Sequence, residues 1–194
     1  AHPWPVYKIK IKAVDDISLI EQLRRHTNAV FRVDANESLN FEDAKRLLPE
    51  LKKLGVTLLE QPLPKTEAEA MQVLKKESPV PLFADESCME EEDVAACANS
   101  FHGINIKLTK CGGITPALRM IREARQLGLK VMLGSMCESS VGTAALAHLM
   151  PLADEADADG PLLLKEDIAE GLEFDNGMIR VAAAPGLGIM LKNR

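Results

Sequence analysis

Short runs of β-branched and aliphatic residues return along this chain at nearly even steps, and five successive runs lead into a charged residue. The runs are residues 6–11, 30–33, 56–59, 80–83, 104–108 and 131–133, with a seventh at 155–160. Stretches of helical period lie between them. From Lys10 to Asp34, Glu60, Asp85 and Lys107 the successive steps are 24, 26, 25 and 22 residues. Each step is one strand, one helix and two short loops. Strands alternating with helices imply parallel β/α units. A doubly wound open sheet usually carries a glycine-rich loop after its first strand, and Ile11-Lys12-Ala13 stands there instead. The expected fold class is therefore α/β, a (β/α) TIM-like barrel of about seven strands.

Helix signals support the alternation. Asn40 caps a stretch whose apolar side is Ala44, Leu47, Leu48, Leu51 and Leu54, ended by Gly55, with Pro49 expected to kink or break it. Thr66 with Glu69 reads as a capping box. Thr115-Pro116 reads as an N-cap followed by a first-turn proline, with Gly128 as the stop. Asp175-Asn176-Gly177 is a hairpin signal, so residues 171–191 are expected to form a tail that wraps back over the barrel. No linker or low-complexity segment interrupts residues 1–194, which read as one domain.

The net charge of -6, with both signs mixed along the chain, argues against nucleic acid or an anionic membrane as the main partner. No apolar run is long enough to span a bilayer. Cys88, Cys97, Cys111 and Cys137 form no C-x-x-C pair, so reduced thiols and a cytoplasmic location are expected. The chain opens with Ala1, which suggests processing or a piece of something longer.

In a barrel the even steps put the run-ending residues on one C-terminal rim, where barrel enzymes keep their chemistry. Charges buried there need mutual pairing or a metal. Asp34, Glu60 and Asp85 supply oxygen alone, a set that suits Mg²⁺ better than Zn²⁺; an internal ring of salt bridges is the other reading. Lys8 and Lys10 are two apart on a strand and share a face. Each raises the cost of protonating the other, as a metal would, which favours a basic amine near neutral pH. Lys107 comes from across the barrel, so two amines could flank one α-carbon, as a 1,1-proton transfer requires. Lys12 is expected to lie solvated past the strand end.

Taken together, Lys8-Ile9-Lys10, Val33-Asp34-Ala35-Asn36, Glu60-Gln61-Pro62, Ala84-Asp85-Glu86-Ser87 and the run from Ile106 to Gly113 resemble the muconate-lactonizing subgroup of the enolase superfamily, from about Pro5 onward. The resemblance implies Asp34, Glu60 and Asp85 as ligands of one Mg²⁺, Lys10 and Lys107 as the acid/base pair, and Lys8 as the neighbour that tunes Lys10. Lys107 is preferred to Lys110 by its distance from the Gly-Gly pair. Asp157-Ala158-Asp159-Gly160-Pro161 resembles the Asp-x-Asp motif of dipeptide epimerases, and implies that Asp157 and Asp159, on one face of the last strand, hold a substrate ammonium. Residues 134–140 resemble the strand and loop before it. The implied reaction is epimerisation of a dipeptide, the small-molecule partner, through an enediolate. Cycloisomerisation, o-succinylbenzoate synthesis and N-acylamino-acid racemisation use the same rim, and a non-catalytic fragment is the third reading. Relatives carry an N-terminal capping domain and a further first strand, neither matched here, and a glycine where Lys12 stands. A barrel without its first strand has two open edges that invite pairing with another chain, which leaves a homo-oligomer open.

Overall fold

The computed structural model describes residues 4–193. Seven strands form one sheet, in sequence order: β1 (Val6–Lys10), β2 (Val30–Asp34), β3 (Val56–Glu60), β4 (Leu82–Ala84), β5 (Gly103–Ile106), β6 (Lys130–Gly134) and β7 (Glu155–Asp157). Every ladder is parallel. The connections carry α1 (Ile17–Arg24), α2 (Phe41–Lys53), α3 (Ala68–Glu77), α4 (Val94–Ser100), the short α5 (Leu108–Cys111), α6 (Ile114–Gln126) and α7 (Ser140–Ala147).

The sheet is rolled into a nearly closed barrel. Arg32 on β2 donates through Nη1 to the Ala156 carbonyl of β7 at 2.6 Å, and through Nη2 to Glu155. In a flat sheet those strands would stand about 24 Å apart, five spacings of about 4.8 Å. Outward residues such as Ile9, Phe31, Val33, Leu59, Ile104 and Val131 form one core with the helices. Arg24 of α1 lies 3.7 Å over the Phe31 ring. A separate cluster of Leu58, Phe83 and Met132 fills the barrel interior, as alternation of side chains across a closed sheet requires.

Asn40 caps α2 as expected, its side chain accepting from the Asp43 N–H at 2.9 Å. Pro49 does not end that helix; Ala44, Leu47, Leu48 and Leu51 are buried on both sides of it and hold the two halves to the sheet. Two expected starts move. The Glu67 N–H bonds to the Pro64 carbonyl at 2.9 Å, which draws Thr66 into a turn, and Glu67 becomes the N-cap of α3. The Thr66–Glu69 capping box is therefore not formed. Gly113, at φ 124, caps α6 instead of Thr115, so Thr115 and Pro116 fall inside the first turn.

β8 (Ala169–Glu170) pairs with β11 (Met190–Leu191), and between them β9 (Leu172–Asp175) and β10 (Met178–Val181) form the expected hairpin. Asn176 and Gly177 turn it with φ of 48° and 83°, the left-handed pair of a type I′ turn. The turn packs on the chain entering β1: a Cβ on Gly177 would lie 2.8 Å from Pro5 Cγ. Strands β1 and β7 are the sheet's two edges. A cavity of about 760 Å³ lies between them, lined by Tyr7, Lys8 and Arg32 on one side and Ala156, Asp157 and Phe174 on the other. Among the described residues no helix is long and apolar enough to cross a membrane.

Candidate active site

The ladder register sets the rim. Lys10 is level with Asp34, and Asp34 with Glu60. Asp85 and Lys107 lie one residue past β4 and β5. Asp34, Glu60, Asp85 and Lys107 are all buried. Buried charge is tolerated only with partners, and the partners are one another. Lys8 Nζ lies 3.2 Å from Asp34 Oδ2, 3.0 Å from Glu60 Oε2 and 2.9 Å from Asp157 Oδ2. Lys107 Nζ is 2.7 Å from Asp85 Oδ2, and Lys110 Nζ is 2.5 Å from Asp85 Oδ1. Lys10 is exposed; its Nζ is 3.6 Å from Asp34 Oδ2 and donates to Asn36 Oδ1 at 2.8 Å. Three carboxylates thus stand in a row on one rim, with Lys10 at the Asp34 end and Lys107 at the Asp85 end.

Lys8 is surrounded by acids. Burial works against its charge, but Glu60, Asp157 and Asp34 outweigh burial and hold its pKa above the ordinary lysine value. Lys8 is a fixed cation inside the barrel, and mutual repulsion with Lys10 does not neutralise it. Glu60 is pushed up to about 7, by burial first, against the pull of Lys8, with the Asp34 and Asp85 carboxylates adding to the rise. Asp85 runs the other way. Burial opposes its charge, and hydrogen bonds from Lys107 and Lys110 overcome that and keep its pKa low.

Asp157 points into the barrel from β7 and meets Lys8, whereas Asp159 does not share its strand face. β7 ends at Asp157, and Asp159 caps a 3-10 turn, Gly160–Leu163, at φ -87° and ψ -1°. The Asp159 carbonyl accepts from the Leu162 N–H at 2.9 Å and the residue is exposed. The turn takes the chain off the strand before the next alternate position, although Asp159 still lines the cavity that Lys8 and Asp157 line.

Other polar groups were not singled out from the sequence. Asn105 Nδ2 donates to Glu60 Oε1 at 2.8 Å. The Gln61 side chain accepts from the Asp85 and Ser87 N–H groups at 3.0 and 3.1 Å, and donates to the Leu63 carbonyl and Ser87 Oγ. Asn36 joins Lys10 to Glu86, donating to Glu86 Oε1 at 3.1 Å. Asn105 was legible in principle: it stands two before Lys107 and so shares its inward face. Gln61, at φ 35°, carries no such mark.

Among the described residues no group of three or more His, Cys, Asp or Glu side chains is drawn in around a single metal position; the rim oxygens face their lysines. The residues nevertheless suit a hard cation. Asp34 Oδ2 and Glu60 Oε2 are buried with ionic neighbours but no hydrogen bond. The donors are all oxygen. A cation beside Glu60 would also relieve the repulsion from Asp34 and Asp85.

Parallel β/α units with a row of acids and amines on one rim define a barrel of the enzyme-bearing kind. The chain belongs to the enolase C-terminal domain-like family, whose model matches residues 2–194. It is 51% identical, over 97% of its length, to the L-Ala-D/L-amino acid epimerase of Flavobacterium johnsoniae, and spans 56% of that protein. The chain thus spans about half the length of the curated relatives it matches. Among solved structures, the dipeptide epimerase of Cytophaga hutchinsonii, complexed with Mg and the dipeptide D-Ala-L-Val, superposes with a TM-score of 0.93 at 28% identity, covering 98% of this chain and 55% of that one. The muconate lactonizing enzyme of Pseudomonas putida gives 0.91 at 30% identity, covering 97% and 56%.

Proposed function

We propose that this chain carries the catalytic rim of a Mg²⁺-dependent dipeptide epimerase, an isomerase that inverts a stereocentre next to a carboxylate by 1,1-proton transfer. The supporting observation is the row itself: buried Asp34, Glu60 and Asp85 on consecutive strand ends, closed at each end by an amine. Asp34, Glu60 and Asp85 would hold the ion. When bound, Mg²⁺ supplies Lewis-acid stabilisation of negative charge on the substrate carboxylate. Lys10 or Lys107 takes the α-proton, and the other returns one to the opposite face. Lys8 stays charged and fixes the orientation of Asp34, Glu60 and Asp157 around it. Lys110, sharing Asp85 with Lys107, keeps that carboxylate ionised. Asp157 and Asp159, which line one cavity with Lys8, are the groups that would meet a substrate ammonium. An L-Ala-D/L-amino acid dipeptide is the substrate class that fits the relatives.

The test is proton exchange. The chain is incubated with L-Ala dipeptides and Mg²⁺ in D₂O, and loss of the α-proton of the second residue is followed by NMR. Exchange should vanish with EDTA. Inversion of that residue, read as growth of the opposite diastereomer, should fall about 10²–10⁴-fold in Lys107→Ala, and undiminished inversion in that variant removes the two-base scheme.

One observation favours a second reading: Asp157 is already engaged by Lys8, and Asp159 lies off the strand. A subgroup reaction on a carboxylate without an ammonium, N-acylamino-acid racemisation or cycloisomerisation, needs neither aspartate. Asp157→Asn together with Asp159→Asn should abolish dipeptide exchange and spare the alternatives. No exchange with any of these substrates by a chain that binds Mg²⁺ leaves the non-catalytic fragment.

A further inference from the structure

Asn105 is fully buried inside the barrel. Its Nδ2 donates to Glu60 Oε1 at 2.8 Å, while its Oδ1 has no hydrogen-bond partner. Gly134 on β6 makes the room for it: a Cβ there would lie 2.4 Å from Asn105 Oδ1 and 2.8 Å from Nδ2. A buried carboxamide with an idle carbonyl carries an unmet acceptor, which costs stability. Its geometry matters instead for Glu60. One Glu60 oxygen is tied by the amide; the other, Oε2, has no hydrogen bond and faces Lys8 Nζ at 3.0 Å. The amide therefore decides which oxygen is held and which is presented to the rim.

We infer that Asn105 is a positioning residue, which fixes the Glu60 carboxylate so that Oε2 is turned toward a divalent cation, and that Gly134 is the backbone position that keeps the amide in place. The inference rests on the metal-binding reading of the rim. Carboxylate ligands are themselves hydrogen-bonded in metal sites, and losing such a partner typically weakens metal binding by roughly 10–100-fold.

The test is Mg²⁺ affinity by titration calorimetry, with the metal-free melting temperature beside it, for the unmutated chain, Asn105→Leu, Gly134→Ala and the double variant. Both single variants should bind about 10–100-fold more weakly. The double should be no weaker than Asn105→Leu alone, because Gly134→Ala acts through the amide. The metal-free melting temperature of Asn105→Leu should stay close to that of the parent, because the variant removes the unmet Asn105 carbonyl and leaves Glu60 Oε1 unmet in its place. Parental affinity in a folded Asn105→Leu overturns the inference, and a lowered metal-free melting temperature with unchanged affinity does the same. Should Asn105→Leu not fold, Gly134→Ala decides on the same criterion. If the unmutated chain takes up no Mg²⁺, the metal reading falls and the inference with it, a result distinct from a variant that binds as well as its parent.

Discussion

Glu60 is the residue at which the rim's electrostatics concentrate, because it is buried between two other acids. Its pKa of about 7 in the folded chain stands above the ordinary 4.5. Between those values the folded state keeps a proton that the unfolded chain has released. The stability this gives is present below about 4.5 and is lost as pH rises to about 7. Metal-free melting should therefore decline across that window, and Glu60→Gln should flatten the decline. Metal binding takes the ionised carboxylate, so Mg²⁺ affinity should climb over the same range and level off above it. Calorimetry at a series of pH values checks this, and a flat affinity profile would place the controlling proton elsewhere.

Individual elements were legible where a local rule dominates. The strand positions follow from β-branched runs, the α2 cap from Asn40, and the tail hairpin from Asn176-Gly177. Asn40→Ala should cost about 1 kcal/mol by losing the bond to the Asp43 N–H, measured by denaturant unfolding. Gly177→Ala should cost more than an ordinary exposed change, since it meets both a positive φ and Pro5. What was not legible depends on neighbours distant in sequence. Glu60 and Asn105 are 45 positions apart and meet only through barrel register. The pairing of Lys8 with Asp157 needs the sheet to curl. Asp159 was misplaced on the strand because alternation was extended past the point where the turn takes the chain away.

At the scale of the molecule, every ladder of the seven-stranded sheet joins strands adjacent in the sequence, so six pairings each close a loop of similar, modest length. The bond from Arg32 to Ala156 spans 124 residues and is of another kind. Loop-closure entropy puts such a contact late in folding, after the ladders have shortened the effective path between its ends. A bond formed after the transition state acts as a latch on unfolding and leaves the rate of refolding alone. Arg32→Met removes the bonds to Glu155 and the Ala156 carbonyl and should destabilise the chain by about 1.5–3 kcal/mol, nearly all of it in a faster unfolding limb of the chevron. A slowed refolding limb would mean that the barrel is curled before its strands have zipped. On the order drawn here, a chain emerging from the ribosome can build its ladders one after another, and fastens its two edges only when the last acidic strand arrives.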